Sequence, residues 1–351
     1  MSIFEGIIAD LRASPHCWLV TGAAGFIGSN LVEFLLCQGQ RVVGFDNFAT
    51  GHRHNLDEVR ALVGEAAWQQ FEFIEGDLAR LDDCLRAVKN ADLILHQGAL
   101  GSVPRSIEEP LASHTANVTG TVNLLVAAQA AGIKRFVFAS SSSVYGDDPD
   151  LPKVESKIGN CLSPYAVTKR IDELYADVFC RCYEMQSVGL RYFNVFGPRQ
   201  DPKGAYAAVI PAWIAALLEA QPVFINGDGE TSRDFCHVLN VVQANVLAAC
   251  RPMPESTHRV YNIAIGDRTT LNELFNLIQL NLGTQGAPAS VTAARPAYRE
   301  FRAGDVRHSL ADVSAAKLEL GFAPTHDVPR GMQETIAWYV ADYRKRSKQG
   351  A

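Results

Sequence analysis

The sequence predicts an α/β protein, a doubly wound parallel sheet with a smaller, mixed α/β lobe. Up to Asn194, short apolar runs alternate with longer amphipathic ones, which is the pattern of parallel strands joined by helices. A glycine-rich turn follows the first strand and opens a helix. Beyond Asn194, prolines and the turn Asn226-Gly227-Asp228-Gly229 interrupt the alternation, which indicates a lobe with longer loops.

The predicted strands are short and apolar, and polar or small residues follow them. They comprise residues 17–21, 41–46, 71–75, 93–96, 135–139 and 187–192, with a further strand at 259–263. Predicted helices include residues 26–38, 118–131 and 271–282. Thr270 and Glu273 form a capping box at the start of the last one. The basic residues 344–348 are predicted to be a frayed, solvated end.

The length of 351 residues exceeds the size at which a single core usually stops growing. We therefore predict two parts. Residues 1–195 and 236–268 form the sheet domain, and residues 196–235 and 269–351 form the lobe.

Composition argues against several classes of protein. The net charge of −6 is unlike that of a nucleic-acid binder, and no apolar run approaches the roughly 20 residues needed to span a bilayer. Glu5 and Asp10 interrupt the N-terminal segment, which is therefore not interpreted as a signal peptide. The eight cysteines are interpreted as reduced thiols without a metal-binding spacing. We expect a cytoplasmic protein with no metal and with neither nucleic acid nor membrane as a partner.

The turn after the first strand contains three glycines, Gly22, Gly25 and Gly28. A pyrophosphate needs backbone N–H donors and close approach, which residues without side chains permit. The first gap is one residue longer than in the usual G-x-G-x-x-G fingerprint. The motif nevertheless predicts a dinucleotide site, since it joins a strand to a helix.

Asp46 ends the second strand, eighteen residues beyond Gly28. A carboxylate there accepts the ribose hydroxyls and repels a 2′-phosphate, which favours NAD over NADP. His52 and Arg53 nearby keep NADP open as an alternative. Asp77 follows the third strand, where it either lies near the adenine or caps the next helix.

Tyr165 and Lys169 are four residues apart behind Ser163-Pro164, which is typical of a helix start. The pair therefore shares one helix face. A phenol, with an ordinary pKa near ~10, is a poor base at neutral pH, but a neighbouring ammonium favours the phenolate. The serine run Ser140–Ser143 ends a strand and supplies a hydroxyl that can orient a substrate oxygen.

These motifs together resemble the extended short-chain dehydrogenase/reductase family. The resemblance is carried by Thr21-Gly22-x-x-Gly25-Phe26-Ile27-Gly28, Asp46-Asn47, Gly76-Asp77-Leu78, Ser140–Ser143-Val144-Tyr145-Gly146, Ser163-Pro164-Tyr165-x-x-x-Lys169 and Arg191-Tyr192-Phe193-Asn194. The chain is similar to nucleotide-sugar 4-epimerases over nearly its whole length. Residues 96–106 and 226–235 look most like the bacterial UDP-N-acetylglucosamine 4-epimerases of surface-polysaccharide synthesis. The fold that this resemblance implies is Rossmann-like.

The resemblance implies roles for individual residues. The catalytic group is Tyr165, Lys169 and Ser141, with Ser142 open as an alternative. The implied NAD-binding residues are Gly22, Gly25, Phe26, Ile27, Gly28, Asp46, Asn47, Asp77, Leu78, Gln97, Ala99, Tyr165, Lys169 and Phe193. The implied residues for a UDP-sugar are Ser102, Ser142, Tyr165, Asn194, Val209, Phe224, Asn226, Arg233, Arg302, Asp305 and Ser309. Arg233 beside Asp234 could equally form a structural ion pair.

The reaction implied is a transient oxidation at C4 of the sugar, followed by return of hydride to the opposite face. A 4,6-dehydratase would need an acid and base before Tyr145, where this chain has Ser142 and Ser143. A uronate-acting enzyme and an inactive nucleotide-binding protein remain alternatives, although the second class typically lacks the tyrosine or lysine. The resemblance implies that Ser309 lies at the C2 side of the sugar, where a serine leaves room for an N-acetyl group, although it could also be an ordinary surface serine. UDP-GlcNAc and UDP-GalNAc are therefore the expected pair, with UDP-glucose and UDP-galactose poorer. The resemblance also implies a homodimer joined through the Tyr165 helix and helix 118–131.

Overall fold

The computed structural model describes residues 2–202, 207–301 and 306–349. Its centre is a seven-stranded sheet whose neighbouring strands are all parallel. In chain order its first six strands are β1 (Cys17–Thr21), β2 (Arg41–Asp46), β3 (Phe71–Glu75), β4 (Leu93–His96), β5 (Arg135–Ser141) and β6 (Gln186–Tyr192). The seventh is β11 (His258–Ile263), because the short strands β7 to β10 of the lobe precede it in the chain. Their spatial order is β11-β6-β5-β4-β1-β2-β3. The predicted doubly wound sheet is confirmed, and the order reverses beside β1, where such sheets bind ligands.

Helices cover both faces of the sheet. They are α1 (Ile3–Ala13), α2 (Phe26–Cys37), α3 (Arg53–Trp68), α4 (Leu81–Ala87), α5 (Val103–Glu108), α6 (Pro110–His114), α7 (Gly120–Ala130), α8 (Pro164–Tyr183) and α10 (Val238–Cys250). The predicted helix 118–131 is close to α7, but the chain enters α7 through a π-helical turn, Thr115–Thr119.

Two apolar layers hold the helices on the sheet. One contains Trp18 and Val20 with Leu31 and Leu35 of α2. The opposite layer uses the alternate residues of the strands, Leu19 among them, with buried side chains of α7 and α8. Neighbouring residues of one strand face opposite sides, so the continuous apolar run of β1 fills both layers.

A smaller lobe follows β6. Its elements are β7 (Val195–Phe196), α9 (Val209–Leu218), β8 (Phe224–Asn226), β9 (Ser232–Arg233), β10 (Cys236–His237), β12 (Thr269–Thr270), α11 (Leu271–Thr284), α12 (Ala289–Thr292), β13 (Ala297–Arg299) and α13 (Val328–Gln349). A third apolar core joins Trp213 of α9, Ile278 of α11 and Ile336 of α13. Ala316 and Phe322, by contrast, pack into the layer that contains Trp18.

The prediction of a frayed end at residues 344–348 is wrong. The chain is helical through Gln349, and Arg344 donates to the carbonyl of Gln285 at 2.8 Å. Arg346 also pairs with Asp342 one turn earlier, at 2.5 Å. In the part of the chain that the structure describes, no helix has the length and apolar character needed to cross a membrane.

Candidate active site

A cleft of about 660 Å³ lies at the carboxyl ends of β1, β2, β3 and β4, within the usual size of a small-molecule site. It brings together most of the residues that were predicted to bind NAD. Its walls include Gly22, Gly25, Phe26, Ile27, Gly28, Asp46, Asn47, Asp77, Leu78, Gln97 and Ala99. Tyr165, Lys169 and Phe193 are not among the residues lining it. Gly51, Leu111 and Thr115 line it as well, and sequence reasoning missed them.

The glycine turn depends on the absence of side chains. Gly22 has a φ of +66°, and a Cβ there would lie 2.8 Å from the backbone nitrogen of Gly98. A Cβ on Gly28 would overlap the carbonyl of Gly22. Gly25 is the N-cap of α2 and makes no side-chain hydrogen bond, and residues 25–28 at this helix start line the cleft. This arrangement suits an anionic diphosphate.

Asp46 organises the turn from the end of β2. Its carboxylate accepts from the backbone N–H of Ala24 at 2.9 Å and of Phe48 at 2.8 Å. Burial raises the pKa of Asp46, while these backbone bonds oppose the shift. The carboxylate therefore fixes the backbone of two loops at the wall of the cleft.

Asp77 does not cap the following helix. Its Oδ1 accepts from the N–H of Ala79 at 2.9 Å, whereas α4 is capped by Arg80 without a side-chain bond. Since Asp77 lines the cleft, the structure is consistent with the ligand-side alternative and excludes the capping one.

Tyr165 and Lys169 lie in the first turns of α8. The predicted start is confirmed, because Ser163 Oγ accepts from the N–H of Ala166 at 3.1 Å and Pro164 is the first helical residue. Tyr165 is half-buried, whereas the side chain of Lys169 is only 3% exposed. The Lys169 ammonium lies 3.3 Å from Asp172, a buried carboxylate that sequence reasoning missed. Asp172 lies at position i+7 from Tyr165 and so on the same helix face, and this spacing in the sequence could have predicted its place beside Lys169.

The members of the serine run have different environments. Ser140 is buried and donates to Glu173 at 2.7 Å, so its hydroxyl is committed to the protein interior. Ser141 Oγ accepts from the N–H of Ser143 and caps the 3-10 turn Ser142–Tyr145, which packs against α8. Ser141 and Ser142 are both half-buried, and either hydroxyl remains a candidate for the substrate oxygen.

A buried polar network supports this serine turn. Arg191 forms a two-pronged ion pair with Glu173, at 2.8 and 2.9 Å, and donates to the Tyr145 hydroxyl at 3.1 Å. Tyr145 in turn donates to Asn262 at 2.6 Å. Burial raises the pKa of Tyr145 to about 12, so it stays a neutral donor. The network fixes the end of β5 against α8 and β6.

Asn117 links the cleft to α8 and was not predicted. It lies in the π-helical turn and donates to Thr168 Oγ1 at 3.0 Å, while its Oδ1 accepts from Leu100 N–H at 2.8 Å. Single π-helical turns are often found at functional sites. Their hydrogen-bond pattern leaves no clear mark in one sequence.

The predicted UDP-sugar residues lie mostly in the lobe. Ser309 N–H donates to the carbonyl of Ser232 at 3.1 Å, so Ser309 is held close to Arg233. Arg233 donates to the carbonyl oxygens of Ser232 and Arg307, at 3.0 and 3.2 Å. Arg302 and Asp305 lie outside the described residues.

The carboxylate of Asp234 is bound by backbone N–H groups. It accepts from the N–H groups of Ile265, Gly266 and Ala311 at 3.1 to 3.2 Å. Burial raises its pKa to about 7, and these backbone bonds oppose that effect. Asp234 therefore anchors the chain next to Arg233 through backbone contacts.

The remaining predicted residues are spread over several elements. Phe224 and Asn226 lie on β8, and the guanidinium of Arg299 stacks 3.2 Å from the Phe224 ring centre. Val209 begins α9, and Ser102 caps α5 by accepting from Arg105 N–H. Asn194 is half-buried and donates to the carbonyl of Asp234 at 3.1 Å, whereas Phe193 is fully buried.

One cluster of metal-ligating side chains lies apart from the cleft. His237, His326 and Glu334 have ligand atoms within 4.8 Å of one another. The two imidazole rings stack at 26°, and Arg330 lies 3.6 Å from the Glu334 carboxylate. His326 Nε2 contacts the Glu334 carboxylate at 3.1 Å, whereas both ring nitrogens of His237 are buried and have no hydrogen-bond partner among the described residues.

Fold and cleft together define an α/β enzyme of the dinucleotide-binding class. Residues 18–264 match the profile of the NAD dependent epimerase/dehydratase family, and the chain belongs to that family. NAD is the cofactor that this family uses.

Individual relatives align over nearly the full length. The chain is 36% identical to the UDP-glucose 4-epimerase of Mycolicibacterium smegmatis, over 92% of this chain and 97% of the relative. It is 30% identical to the UDP-glucuronate 4-epimerase of Thermodesulfobacterium geofontis, over 92% and 95%. A solved UDP-N-acetylglucosamine 4-epimerase from Methanobrevibacter ruminantium, in complex with UDP-N-acetylmuramic acid, is 36% identical. It superposes with a TM-score of 0.84 over 93% of this chain and 99% of that one.

Proposed function

We propose that the protein is an NAD-dependent UDP-sugar 4-epimerase, with UDP-GlcNAc and UDP-GalNAc as its preferred pair. The glycine turn fits a dinucleotide, because Gly22, Gly25 and Gly28 line the cleft and the start of α2 there has no capping side chain. The residues of the cleft would hold NAD, with the start of α2 at the diphosphate and Asp46 at the ribose. Bound NAD supplies reversible hydride transfer at C4 of the sugar.

The protein's own part is proton transfer and orientation. Tyr165 would take the proton of the 4-hydroxyl as C4 is oxidised and return it after the 4-keto sugar has turned over. Lys169 favours the phenolate of Tyr165, and the hydroxyl of Ser141 or Ser142 orients the oxygen. The single observation that carries the proposal is the Tyr–Lys pair on α8 beside the serine turn.

The first experiment incubates the NAD-loaded protein with UDP-GlcNAc without added reductant and resolves the two epimers. Tyr165→Phe should lower kcat by about 10²- to 10⁴-fold, because the proton acceptor is lost. Tyr175→Phe, an exposed tyrosine of the same helix, is the control and should keep full turnover. Unchanged turnover in Tyr165→Phe, or a need for stoichiometric NADPH, would rule the mechanism out.

The preference for N-acetylated sugars rests on Ser309. Its small side chain, held beside Arg233 by the bond to Ser232, leaves space where a bulky ring would crowd an N-acetyl group. Ser309→Tyr should depress turnover of UDP-GlcNAc more than turnover of UDP-glucose. Parallel assays with UDP-glucose and UDP-glucuronate test the alternatives, and equal losses on both hexoses would contradict the preference.

We also propose a homodimer joined through α7 and α8. Leu124, Leu125 and Phe179 are buried within one chain, but Val126, Leu174 and Val178 remain exposed on these helices. An apolar stripe that the monomer leaves in water supports a helix-to-helix contact between two copies. Sedimentation equilibrium measures the mass directly, and a monomer at micromolar concentration would contradict this proposal.

A further inference from the structure

Asp172 lies directly behind the proposed catalytic pair. Tyr165, Lys169 and Asp172 occupy positions i, i+4 and i+7 of α8 and so follow one face of the helix. The Asp172 carboxylate lies 3.3 Å from the Lys169 ammonium, and the two side chains are 2% and 3% exposed. An ion pair so buried is screened far less than a surface pair.

The two oxygens of the Asp172 carboxylate have different environments. Its Oδ2 faces Lys169, whereas Oδ1 is buried and makes no hydrogen bond with any described residue. The hydroxyl of Thr121, on α7, lies beside the carboxylate and favours its ionised form. Asp172 therefore has one cation and one neighbouring hydroxyl to offset its loss of hydration.

A row of buried polar groups holds Thr121 in place. His96 of β4 contacts the Thr121 hydroxyl at 3.0 Å through Nε2 and the Thr21 hydroxyl at 2.7 Å through Nδ1. Thr21 also accepts from the N–H of Gly98 at the cleft, at 3.1 Å. Burial lowers the pKa of His96 to about 3, so this ring is neutral and carries no charge toward Asp172.

The charges that act on Asp172 are few. On α8 they are Lys169 and Glu173. Glu173 is compensated by Arg191 of β6, at 2.8 Å, and by Arg170, also at 2.8 Å. Lys169 is the cation that lies against Asp172 itself.

We propose that Asp172 is a positioning residue for this reaction: it holds the Lys169 ammonium on the catalytic face of α8 and offsets part of its charge at Tyr165. The proposal rests on the catalytic roles proposed above for Tyr165 and Lys169. Asp172 acts through the lysine, and no described contact joins it to the cleft.

The physical consequence concerns the pH range of activity. Above about pH 6, where Asp172 is ionised, its negative charge beside Lys169 weakens the positive potential at Tyr165. With a neutral side chain at position 172, activity should therefore extend to lower pH. Asp172 and Tyr165 are two helical turns apart. At that separation, in a partly screened protein interior, removing one unit charge should shift the acid limb of the activity profile by about one pH unit.

The test compares kcat–pH profiles of the NAD-loaded enzyme with UDP-GlcNAc as substrate, or with whichever UDP-sugar is turned over. Asp172→Asn should move the acid limb of the kcat profile about one pH unit downward and leave KM at its wild-type value. Asp172→Glu should restore the wild-type limb. Asp177→Asn is the matched control, since it removes the same charge from an exposed position of α8, and it should leave the profile unchanged.

The results of these assays distinguish a failure of the Asp172 proposal from a failure of the proposed function. A kcat that falls at every pH with an unmoved acid limb would show a merely structural role and overturn the proposal. If Asp172→Asn does not fold or retain NAD, Thr121→Val replaces it. That variant should move the limb in the same direction by a smaller amount, and an unmoved limb again overturns the proposal. Full turnover in Tyr165→Phe would instead refute the proposed function itself.

Discussion

Asp172 and Glu173 are consecutive residues of α8, and both are buried, yet their pKa values are shifted in opposite directions. Burial raises the pKa of Asp172 to about 6, with Lys169 opposing the shift. Burial would also raise the pKa of Glu173, but the hydrogen bonds and charge of Arg191 outweigh it and leave that pKa lowered. The number and geometry of the partners, rather than the depth of burial, decide the charge state.

The partners differ because the helix faces differ. Glu173 points toward β5 and β6, where Arg191 meets both carboxylate oxygens and Ser140 adds a third donor. Asp172 points toward α7 and meets one lysine at 3.3 Å. The first carboxylate joins α8 to β5 and β6, whereas the second faces Lys169.

The largest expected effect comes from breaking the better-paired carboxylate. Glu173→Gln leaves Arg191 buried without its counter-charge, so the free energy of unfolding should fall by about 3–5 kcal/mol. Equilibrium urea unfolding measures this loss. The exposed pair Asp177–Arg181 provides the control, because Asp177→Asn should cost less than about 1 kcal/mol. Similar losses in the two variants would contradict the comparison.

A smaller effect concerns the pH dependence of stability. Since the pKa of Asp172 is raised in the folded state, the native protein favours its protonated form. Its stabilising contribution is therefore complete below the unfolded value near ~3.9 and is lost as the pH rises through about 6.

The stabilising contribution of protonated Asp172 should fall by about 2–3 kcal/mol between pH 4 and pH 7, and Asp172→Asn should abolish this fall. Urea midpoints measured across that range, for the variant and the wild type, give the difference. The pKa of Glu173 is lowered, so its contribution to stability is lost as the pH falls rather than as it rises. Glu173→Gln should therefore remove a loss of stability that occurs at acidic pH. Parallel pH curves for wild type and Asp172→Asn would show that Asp172 stays ionised throughout.

The smallest effect separates two serines of the same run. Ser140→Ala removes a buried hydrogen bond to Glu173 and should lower the free energy of unfolding by about 1 kcal/mol. Ser143→Ala should be neutral or slightly stabilising, because the buried Ser143 hydroxyl has no hydrogen-bond partner among the described residues. Thermal unfolding of the two variants side by side measures the contrast. A larger loss in Ser143→Ala would mean that its hydroxyl has a partner in solution.

Much of the sheet and of the cofactor side could be predicted because their signals are local. The strand, turn and helix around Gly22 lie within one short segment, and glycine is required there by backbone contacts. The start of α8 at Ser163-Pro164 is likewise a local preference. The helical end of the chain was missed because contacts such as Arg344 with Gln285 are distant in sequence.

The substrate side depended on pairings between remote segments. Ser309 is brought to Arg233 by the bond to Ser232, a link across more than seventy residues. Nothing in either segment alone indicates that register. Asp172 was visible at the right helical spacing, but only burial distinguishes it from an ordinary surface aspartate such as Asp177.

The sequence by itself determined the alternation of strands and helices, the glycine turn and the Tyr165–Lys169 spacing, because each depends on residues close in the chain. The tertiary structure alone decided which carboxylate of α8 is compensated by arginine and which faces Lys169. That choice depends on β6 and α7 arriving at opposite sides of the helix, and on the loss of water between them.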